Sequence, residues 1–339
     1  MRTVGVIGLG TMGAGIAEVF AKGELAVVGV EITDAAIDAG KANLAKSLNR
    51  QVDRGRLEPE QRDRLTQRVT FTTDFAALAE ADLVVEAVPE RMAIKRDVFS
   101  RLDEACKADT ILATNTSSLS VSEIATTTGR PAQVLGMHFF NPAPVMKLVE
   151  VVRADETDPA VVGRVEELAA RLGKTTVTVT DRRGFIVNRL LLGYLNQAAK
   201  LVEAGTATAD EIDTAIRTTG LPMGPLTLTD VIGLDTCVEI LDCIHDDSGS
   251  PRHETAQILR DLVASGRLGN KSGSGFYDRG TTPSASLTDE RVAELVGELI
   301  PPHVGEGQEM ADSGYATESD IDTAMRLGCG YPQGLFALA

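Results

Sequence analysis

The chain is poor in several features that mark particular classes of protein. No apolar run approaches the roughly 18 residues of a transmembrane helix, and the first predicted strand begins at residue 3, which leaves no room for a signal peptide. The four cysteines include no CxxC pair, and the four histidines are scattered. We therefore expect reduced thiols in a cytoplasmic protein, with no metal site and no membrane partner.

Positive charge is also scarce. The sequence has 33 Lys and Arg residues against 49 Asp and Glu residues, so its formal net charge is −16, which argues against nucleic acid or an anionic membrane as a partner. An anionic substrate would need a local basic patch. Lys46, Arg50 and Arg54 repeat every four residues in the helical segment 41–56. We call these three residues the basic ridge; they form either a solvated charged face or a phosphate-binding surface.

The strongest signal lies in the first thirty-one residues. A short apolar strand over 3–7 runs directly into a glycine-rich turn, and a buried helix, a second apolar strand over 26–30 and an acid, Glu31, follow. The turn consists of Gly8, Leu9, Gly10, Thr11, Met12 and Gly13. Strand, GxGxxG, helix, strand and acid occur here in the order that a dinucleotide site requires.

Each part of this motif has a physical task. Gly8 permits the tight turn, Gly10 lets backbone N–H groups approach a pyrophosphate, and Gly13 lets helix and strand pack closely. The positive end of the helix then faces the phosphates. Glu31 is placed to accept hydrogen bonds from an adenosine ribose. Because its carboxylate would repel a 2′-phosphate, and residues 32–34 contain no Arg or Lys, the motif favours NAD over NADP.

The pattern of predicted elements changes twice along the chain. Strand-like and helix-like segments alternate over 1–182, which predicts an NAD-binding Rossmann domain with a doubly wound α/β sheet. The pattern is helical over 183–279, with one of the helices predicted over 231–244, and it indicates an all-α second domain. Residues 280–339 begin as a linker and continue as a partial repeat of the helical domain.

The repeat is visible in two places. Residues 320–326 resemble 211–217, and residues 332–334 resemble 222–224. A segment of about 25 residues cannot bury a core of its own. We therefore expect the tail to dock on the helical domain or on a neighbouring subunit, or to fray.

Four polar residues stand at predicted element ends or within apolar segments. Ser117 follows the strand 110–114, His138 ends the next strand, Glu150 is a single carboxylate in an apolar run, and Asn188 opens the first helix of the second domain. Each alone could be a cap or a satisfied core residue. Together they match what hydride transfer from a secondary alcohol needs: a base for the hydroxyl proton, a carboxylate that orients it, and donors to the reacting oxygen.

Five segments carry a resemblance to a known family: GLGTMGAGIA (8–17), EAVPE (86–90), NTSSL (115–119), HFFNPAPVMKLVEV (138–151) and GFIVNR (184–189). They are similar to the L-3-hydroxyacyl-CoA dehydrogenases, most of all to the bacterial 3-hydroxybutyryl-CoA branch. The similarity runs from residue 2 to about 278. It implies NAD-dependent interconversion of a short-chain L-3-hydroxyacyl-CoA and a 3-ketoacyl-CoA, in fatty-acid metabolism, by a homodimer that associates through the helical domain.

The resemblance also implies residue roles. His138 is general base in oxidation and general acid in reduction, Glu150 is its electrostatic partner, and Ser117 and Asn188 hold the substrate oxygen. Besides the glycine-rich turn, the expected NAD contacts are Glu31, Glu90, Lys95, Asn115, Asn141 and Lys271. The expected coenzyme A contacts are Ser47, Arg54 and Ser117, which agrees with a phosphate-binding basic ridge.

Two further hypotheses stay open at this point. The same fold and chemistry could act on a sugar acid or on a 3-hydroxyacyl group bound to a carrier protein. The chain could also be a nucleotide-binding protein without catalysis, but the complete set of Ser117, His138, Glu150 and Asn188 argues against this.

Overall fold

The computed structural model describes residues 1–338. The chain divides into two compact units, one over Met1–Asp181 and the other from Arg182 onward. The boundary predicted after residue 182 falls one residue beyond this division. None of the described helices combines the length and the apolar character that crossing a membrane requires.

The first unit is built on an eight-stranded sheet. Its strands are β1 (Thr3–Ile7), β2 (Ala26–Val30), β3 (Val69–Thr72), β4 (Leu83–Glu86), β5 (Ile111–Thr114), β6 (Val134–Phe139), β7 (Leu148–Arg153) and β8 (Thr175–Thr180). Their spatial order is β3-β2-β1-β4-β5-β6-β7-β8. The order reverses beside β1, between β1 and β4, which is where open α/β sheets bind nucleotides. The predicted doubly wound fold is confirmed.

Helices cover this sheet. They are α1 (Thr11–Lys22), α2 (Asp34–Asp53), α3 (Pro59–Gln67), α4 (Met92–Ala105), α5 (Val121–Ala125) and α6 (Pro159–Arg171), with 3-10 turns at Phe75–Leu78 and Pro131–Gln133. Because both faces are covered, the central strands are almost wholly apolar and buried. The helix starts are encoded locally: the Thr33 hydroxyl caps α2, and Asp158 followed by Pro159 caps α6.

Strands β6 and β7 pair antiparallel, whereas the other pairings of the described sheet are parallel. This pairing follows from the short connection over 140–147, which allows the chain to reverse direction. The register places Met137 opposite Val151 and His138 opposite Glu150. The fold itself therefore brings together two of the predicted catalytic residues.

The second unit is helical. It contains α7 (Val187–Glu203), α8 (Ala209–Arg217), α9 (Pro225–Ile232), α10 (Leu234–Ser248), α11 (Gln257–Ala264), α12 (Asp289–Asp312) and α13 (Glu318–Gly328), and a 3-10 turn at Leu335–Leu338. The sequence pattern had suggested a helix over 231–244, and this was wrong. The helix breaks at Gly233, whose φ of 104° is incompatible with continuing α-helix, so α9 ends before it and α10 starts after it.

The two similar segments of this unit share local geometry. Asp213 accepts a hydrogen bond from the backbone N–H of Leu226 at 2.8 Å, and Asp322 accepts one from the N–H of Phe336 at 3.1 Å. A glycine faces each carboxylate. A Cβ atom added to Gly224 would lie 2.3 Å from Asp213 Cγ, and one added to Gly334 would lie 2.1 Å from Asp322 Cγ. The sequence similarity therefore reflects one turn built twice.

The tail docks on helices of its own chain. Helix α12 packs against α7 and α8, and α13 packs against α7. Leu295, Leu299 and Ile321 are buried in these contacts, and the ring of His303 in α12 stacks on the ring of Tyr194 in α7 with centroids 4.8 Å apart. Of the outcomes expected for the tail, the structure shows docking on the helical unit.

Candidate active site

The glycine-rich turn joins β1 to α1 and has two kinds of glycine. Gly8 has φ of 83°, and a Cβ atom on Gly13 would lie 1.7 Å from the carbonyl oxygen of Gly8. Both glycines are therefore required by the protein's own backbone. Gly10 is different, because a Cβ atom there would meet no atom within 4 Å. Its lack of a side chain leaves room beside the N-terminus of α1, where a dinucleotide pyrophosphate fits.

Glu31 follows β2 and faces the same turn. Its Oε1 accepts a hydrogen bond from the N–H of Leu9 at 2.5 Å, and its Oε2 accepts one from the N–H of Ile32 at 3.2 Å. The carboxylate lines a cavity of about 600 Å³ with Gly10, Thr11 and Met12. The residues present thus fit an adenine dinucleotide.

This cavity is also lined by residues that sequence reasoning missed. Ile32, which is 81% exposed, lines the cavity with Ile94 and Val98. The Arg101 guanidinium lies 3.8 Å from the ring centroid of Phe75, which also lines the cavity. An apolar wall of this kind suits a flat base. No short-range motif marks these residues, because Phe75 and Arg101 belong to elements far apart in the chain.

Glu90 and Lys95 lie beside the loop that carries Ser117. Lys95 is 1% exposed, and its ammonium lies 3.2 Å from Glu90 Oε2. Glu90 Oε1 accepts hydrogen bonds from the N–H of Ser117 at 2.8 Å and of Ser118 at 3.1 Å. Burial alone would raise the pKa of Glu90, but the Lys95 charge and the hydrogen bonds outweigh it and lower the pKa below its usual range.

His138 and Glu150 form a buried pair at the carboxyl end of β6. Nδ1 of His138 lies 2.6 Å from Oε2 of Glu150. His138 is 7% exposed and Glu150 is fully buried. A carboxylate at this distance fixes the orientation of an imidazole and stabilises its positive charge. The pair therefore has the geometry of an acid/base catalyst.

Neighbouring contacts fix the end of β6. The side-chain oxygen of Asn115 accepts a hydrogen bond from the N–H of Phe139 at 2.8 Å, which ties the segment after β5 to the residue that follows His138. The ring of Phe140 lies 4.6 Å from the His138 ring, centroid to centroid. The first unit thus brings Asn115 close to the strand that carries the histidine.

The remaining predicted residues lie on or next to α2, after β6 and in the helical unit. On α2, Leu44 and Leu48 are buried while Lys46 and Arg50 are exposed, so these two residues of the basic ridge lie on the outer face of the helix. Ser47 is half-buried, Arg54 is exposed at the end of the helix, and Asn141 is exposed after β6. Two residues belong to the helical unit: Asn188 is the second residue of α7 and Lys271 forms an ion pair with Asp235.

Comparison with known proteins finds family models that match most of the chain. The family model described as 3-hydroxyacyl-CoA dehydrogenase, NAD binding domain, matches residues 3–182. The model for the C-terminal domain of the same family matches residues 184–279 and 296–339. The chain belongs to the 3-hydroxyacyl-CoA dehydrogenase family. It carries the family's NAD-binding domain and is an NAD-dependent dehydrogenase.

Two relatives illustrate the range of similarity. The chain is 45% identical over 281 residues to a 3-hydroxybutyryl-CoA dehydrogenase of Mycobacterium tuberculosis H37Rv, which covers 82% of this chain and 98% of that protein. It is 40% identical over 329 residues to a 3-hydroxyadipyl-CoA dehydrogenase of Escherichia coli K12, covering 96% of this chain and 69% of that protein. The second relative thus extends its similarity into the tail.

Solved structures of the same family have the same fold. A crystal structure of a 3-hydroxybutyryl-CoA dehydrogenase from E. coli K12 superposes with a TM-score of 0.93 at 33% identity, covering 99% of this chain and 90% of that chain. The crystal structure of the (S)-3-hydroxybutyryl-CoA dehydrogenase of Ralstonia eutropha superposes with a TM-score of 0.80 at 38% identity, covering 83% of this chain and 100% of that chain. The fold, including the docked tail, therefore has a counterpart among known structures.

Proposed function

We propose that this protein oxidises short-chain L-3-hydroxyacyl-CoA to 3-ketoacyl-CoA with NAD, and catalyses the reverse reaction, using His138 and Glu150 as its acid/base pair. The observation that carries the proposal is the 2.6 Å contact between these two buried side chains. A core has little reason to bury an imidazole and a carboxylate together unless the pair is used or well compensated.

Each residue has a defined task in this mechanism. When bound, NAD⁺ supplies the acceptor for the hydride that leaves C3 of the substrate. His138 takes the proton of the 3-hydroxyl group, so that the C–O bond becomes a carbonyl. Glu150 holds the ring in one orientation and stabilises the imidazolium that forms. Ser117 and Asn188 donate hydrogen bonds to the substrate oxygen, and in reduction His138 returns the proton.

The substrate class rests on the relatives and on charge. The relatives named above act on 3-hydroxybutyryl-CoA and 3-hydroxyadipyl-CoA. Coenzyme A carries phosphates, and in a chain of net charge −16 its binding needs local positive charge. The exposed basic ridge of α2 supplies such a surface, and we assign the coenzyme A contacts to Ser47 and Arg54.

A side-by-side assay tests the proposal. NADH oxidation is measured with acetoacetyl-CoA, longer 3-ketoacyl-CoA substrates, acetoacetyl bound to an acyl carrier protein, and free keto acids. The highest kcat/KM is expected with acetoacetyl-CoA. A preference for the carrier-bound or the free acid would overturn the CoA assignment while leaving the dehydrogenase chemistry in place.

The His138→Gln variant tests the acid/base role. Its kcat should fall by about 10²–10⁴-fold, which is the usual contribution of a positioned acid/base group. NADH binding, followed by fluorescence, should stay within a few-fold of the unmodified protein. Turnover near that of the unmodified protein would refute His138 as the base.

The homodimer and the cytoplasmic location remain part of this proposal. Sedimentation equilibrium at micromolar concentration tests the first, and fractionation of the source cells tests the second. A single species with the mass of one 35.9 kDa chain would refute the dimer.

A further inference from the structure

A closed ring of polar residues, of which all but the half-buried Glu90 are buried, joins the carboxyl ends of β4 and β5. Its members, in order around the ring, are Glu86, Thr114, Thr116, Glu90 and Lys95, each in contact with the next. The resemblance had assigned cofactor contacts to Glu90 and Lys95, and nothing had assigned a task to Glu86. Both oxygens of Glu86 nevertheless accept hydrogen bonds.

Glu86 is the last residue of β4 and is fully buried. Its Oε1 accepts hydrogen bonds from the N–H of Val88 at 2.7 Å and from the Lys95 ammonium at 2.8 Å. Its Oε2 accepts from the Thr114 hydroxyl at 2.7 Å and again from Lys95 at 3.0 Å. Burying a carboxylate is costly unless it is fully bonded, and here four hydrogen bonds from three donor groups compensate it.

Lys95 connects the two carboxylates of the ring. Its side chain is 1% exposed, and its ammonium lies between Glu86 and Glu90. An ammonium enclosed in this way has no freedom to follow a mobile partner. Its position is therefore set by Glu86, which is fixed to the sheet, and Lys95 in turn sets the position of Glu90 Oε2.

Glu90 divides its two oxygens between the ring and the Ser117 loop. Oε2 faces Lys95 at 3.2 Å. Oε1 accepts from the Thr116 hydroxyl at 2.5 Å and from the backbone N–H groups of Ser117 and Ser118. A rotation of this carboxylate would break the hydrogen bonds that hold the loop.

We propose that Glu86 is a positioning residue for the dehydrogenase reaction: through Lys95 it fixes the Glu90 carboxylate, and through Glu90 it holds the Ser117 hydroxyl where the substrate oxygen binds. This inference rests on the proposed function, because it takes Ser117 to be the substrate contact. It also gives the buried Lys95 a task inside the ring, in addition to the cofactor contact that the resemblance implies.

A matched pair of variants tests the proposal. Glu86→Gln keeps the shape but presents an amide N–H₂ group to the Lys95 ammonium. The control is Asp82→Asn at the opposite end of the same strand, where the carboxylate accepts from the N–H of Arg2 at 2.6 Å and pairs with Lys107 at 3.0 Å. Each variant loses a structural carboxylate of the first unit. The control residue lies at the amino ends of the strands, away from the carboxyl ends where ligands bind.

Two readouts separate positioning from stability. In Glu86→Gln, kcat with acetoacetyl-CoA at saturating NADH should fall at least tenfold. Amide hydrogen exchange at Ser117 and Ser118 should be at least tenfold faster. Asp82→Asn should lower Tm with kcat within twofold and exchange unchanged in the loop. Equal behaviour of the two variants, or unchanged exchange in Glu86→Gln, overturns the proposal.

Two other results, a variant that does not fold and an inactive protein, also have a defined consequence. If Glu86→Gln does not fold, Thr114→Val takes its place, because it removes one donor to Glu86 and leaves every charge. Amide exchange in the Ser117 loop should then be about threefold faster. Unchanged exchange in this variant would overturn the proposal. If the unmodified protein is inactive with every substrate, the proposed function fails. The exchange data then still decide whether Glu86 holds the Ser117 loop.

Discussion

His138 and Glu150 occupy opposite positions in the register of β6 and β7, and their side chains meet at 2.6 Å. They lie twelve positions apart in the chain, and the antiparallel pairing of β6 with β7 brings them into contact. Since side chains directly opposite each other in such a pair lie on the same face of the sheet, the contact needs no flexible loop. The proposed acid/base pair is therefore held by the rigid sheet.

Removing the charge of Glu150 should affect turnover more than binding. In Glu150→Gln, kcat is expected to fall about 10²–10³-fold, because a neutral amide cannot stabilise an imidazolium and can hold the ring in the wrong tautomer. KM values should change less than about threefold. Steady-state kinetics check this, with the double variant His138→Gln/Glu150→Gln as control. It should be no slower than His138→Gln alone, because the two residues act as a unit. Multiplicative losses would contradict the pairing.

The two kinds of glycine in the turn should respond differently to alanine. Gly13→Ala should lower Tm by several degrees or prevent folding, because its Cβ would overlap the carbonyl oxygen of Gly8. Gly10→Ala should leave Tm of the free protein unchanged, because its Cβ meets no protein atom. It should weaken NADH binding at least tenfold in a fluorescence titration. Unweakened binding in Gly10→Ala would refute the placement of the pyrophosphate.

Glu31 should determine the choice of cofactor. Glu31→Gln retains an acceptor for the Leu9 N–H but loses the charge that repels a 2′-phosphate. We expect kcat/KM with NADPH to rise about tenfold and that with NADH to fall a few-fold, since the bonds to ribose are no longer charge-assisted. Asp63→Asn, an exposed acid of α3, is the control for net charge. A variant that keeps the original preference would show that another residue reads the ribose.

The helical unit should lose stability in mild acid. Burial, assisted by the Arg252 charge, lowers the pKa of His303 from 6.5 to about 3. His303 is thus neutral when folded, and unfolding allows it to take up a proton below pH 6.5. The free energy of unfolding is therefore highest above pH 6.5 and declines as the pH falls towards 3. At pH 4.5 the loss amounts to about 2–3 kcal/mol.

Urea unfolding at pH 7 and pH 4.5 measures this loss. The variant His303→Phe should reduce the difference between the two pH values by about the same amount. Tyr331→Phe, which removes the hydroxyl 2.9 Å from His303 Nε2, should lower stability similarly at both pH values. If His303→Phe has the same pH dependence as the unmodified protein, other groups control the acid sensitivity.

Much of the cofactor site follows from local sequence. The tight turn at Gly8, the close contact at Gly13 and the acid at 31 depend on neighbouring residues, and such short-range requirements leave a recognisable spacing. The apolar strands are equally visible, because a sheet covered on both faces excludes polar residues. The predicted fold and NAD dependence were therefore confirmed.

Features that depend on tertiary pairing were harder to see. The spacing of His138 and Glu150 indicates a relation, but only the antiparallel register brings them into contact. Lys95 looks like a surface cation in the sequence, and its burial becomes evident once α4 lies over Glu86. The break at Gly233 was missed because a single glycine within a helical pattern does not usually end the helix.

The docked tail also affects how the protein tolerates cleavage. A protease cut or a premature stop codon near residue 285 would remove α12 and α13 and expose the buried ring of Tyr194 and the faces of α7 and α8 to water. Newly exposed apolar surface favours aggregation and recognition by chaperones. Such a product would therefore be more prone to aggregation than the chain that keeps its tail.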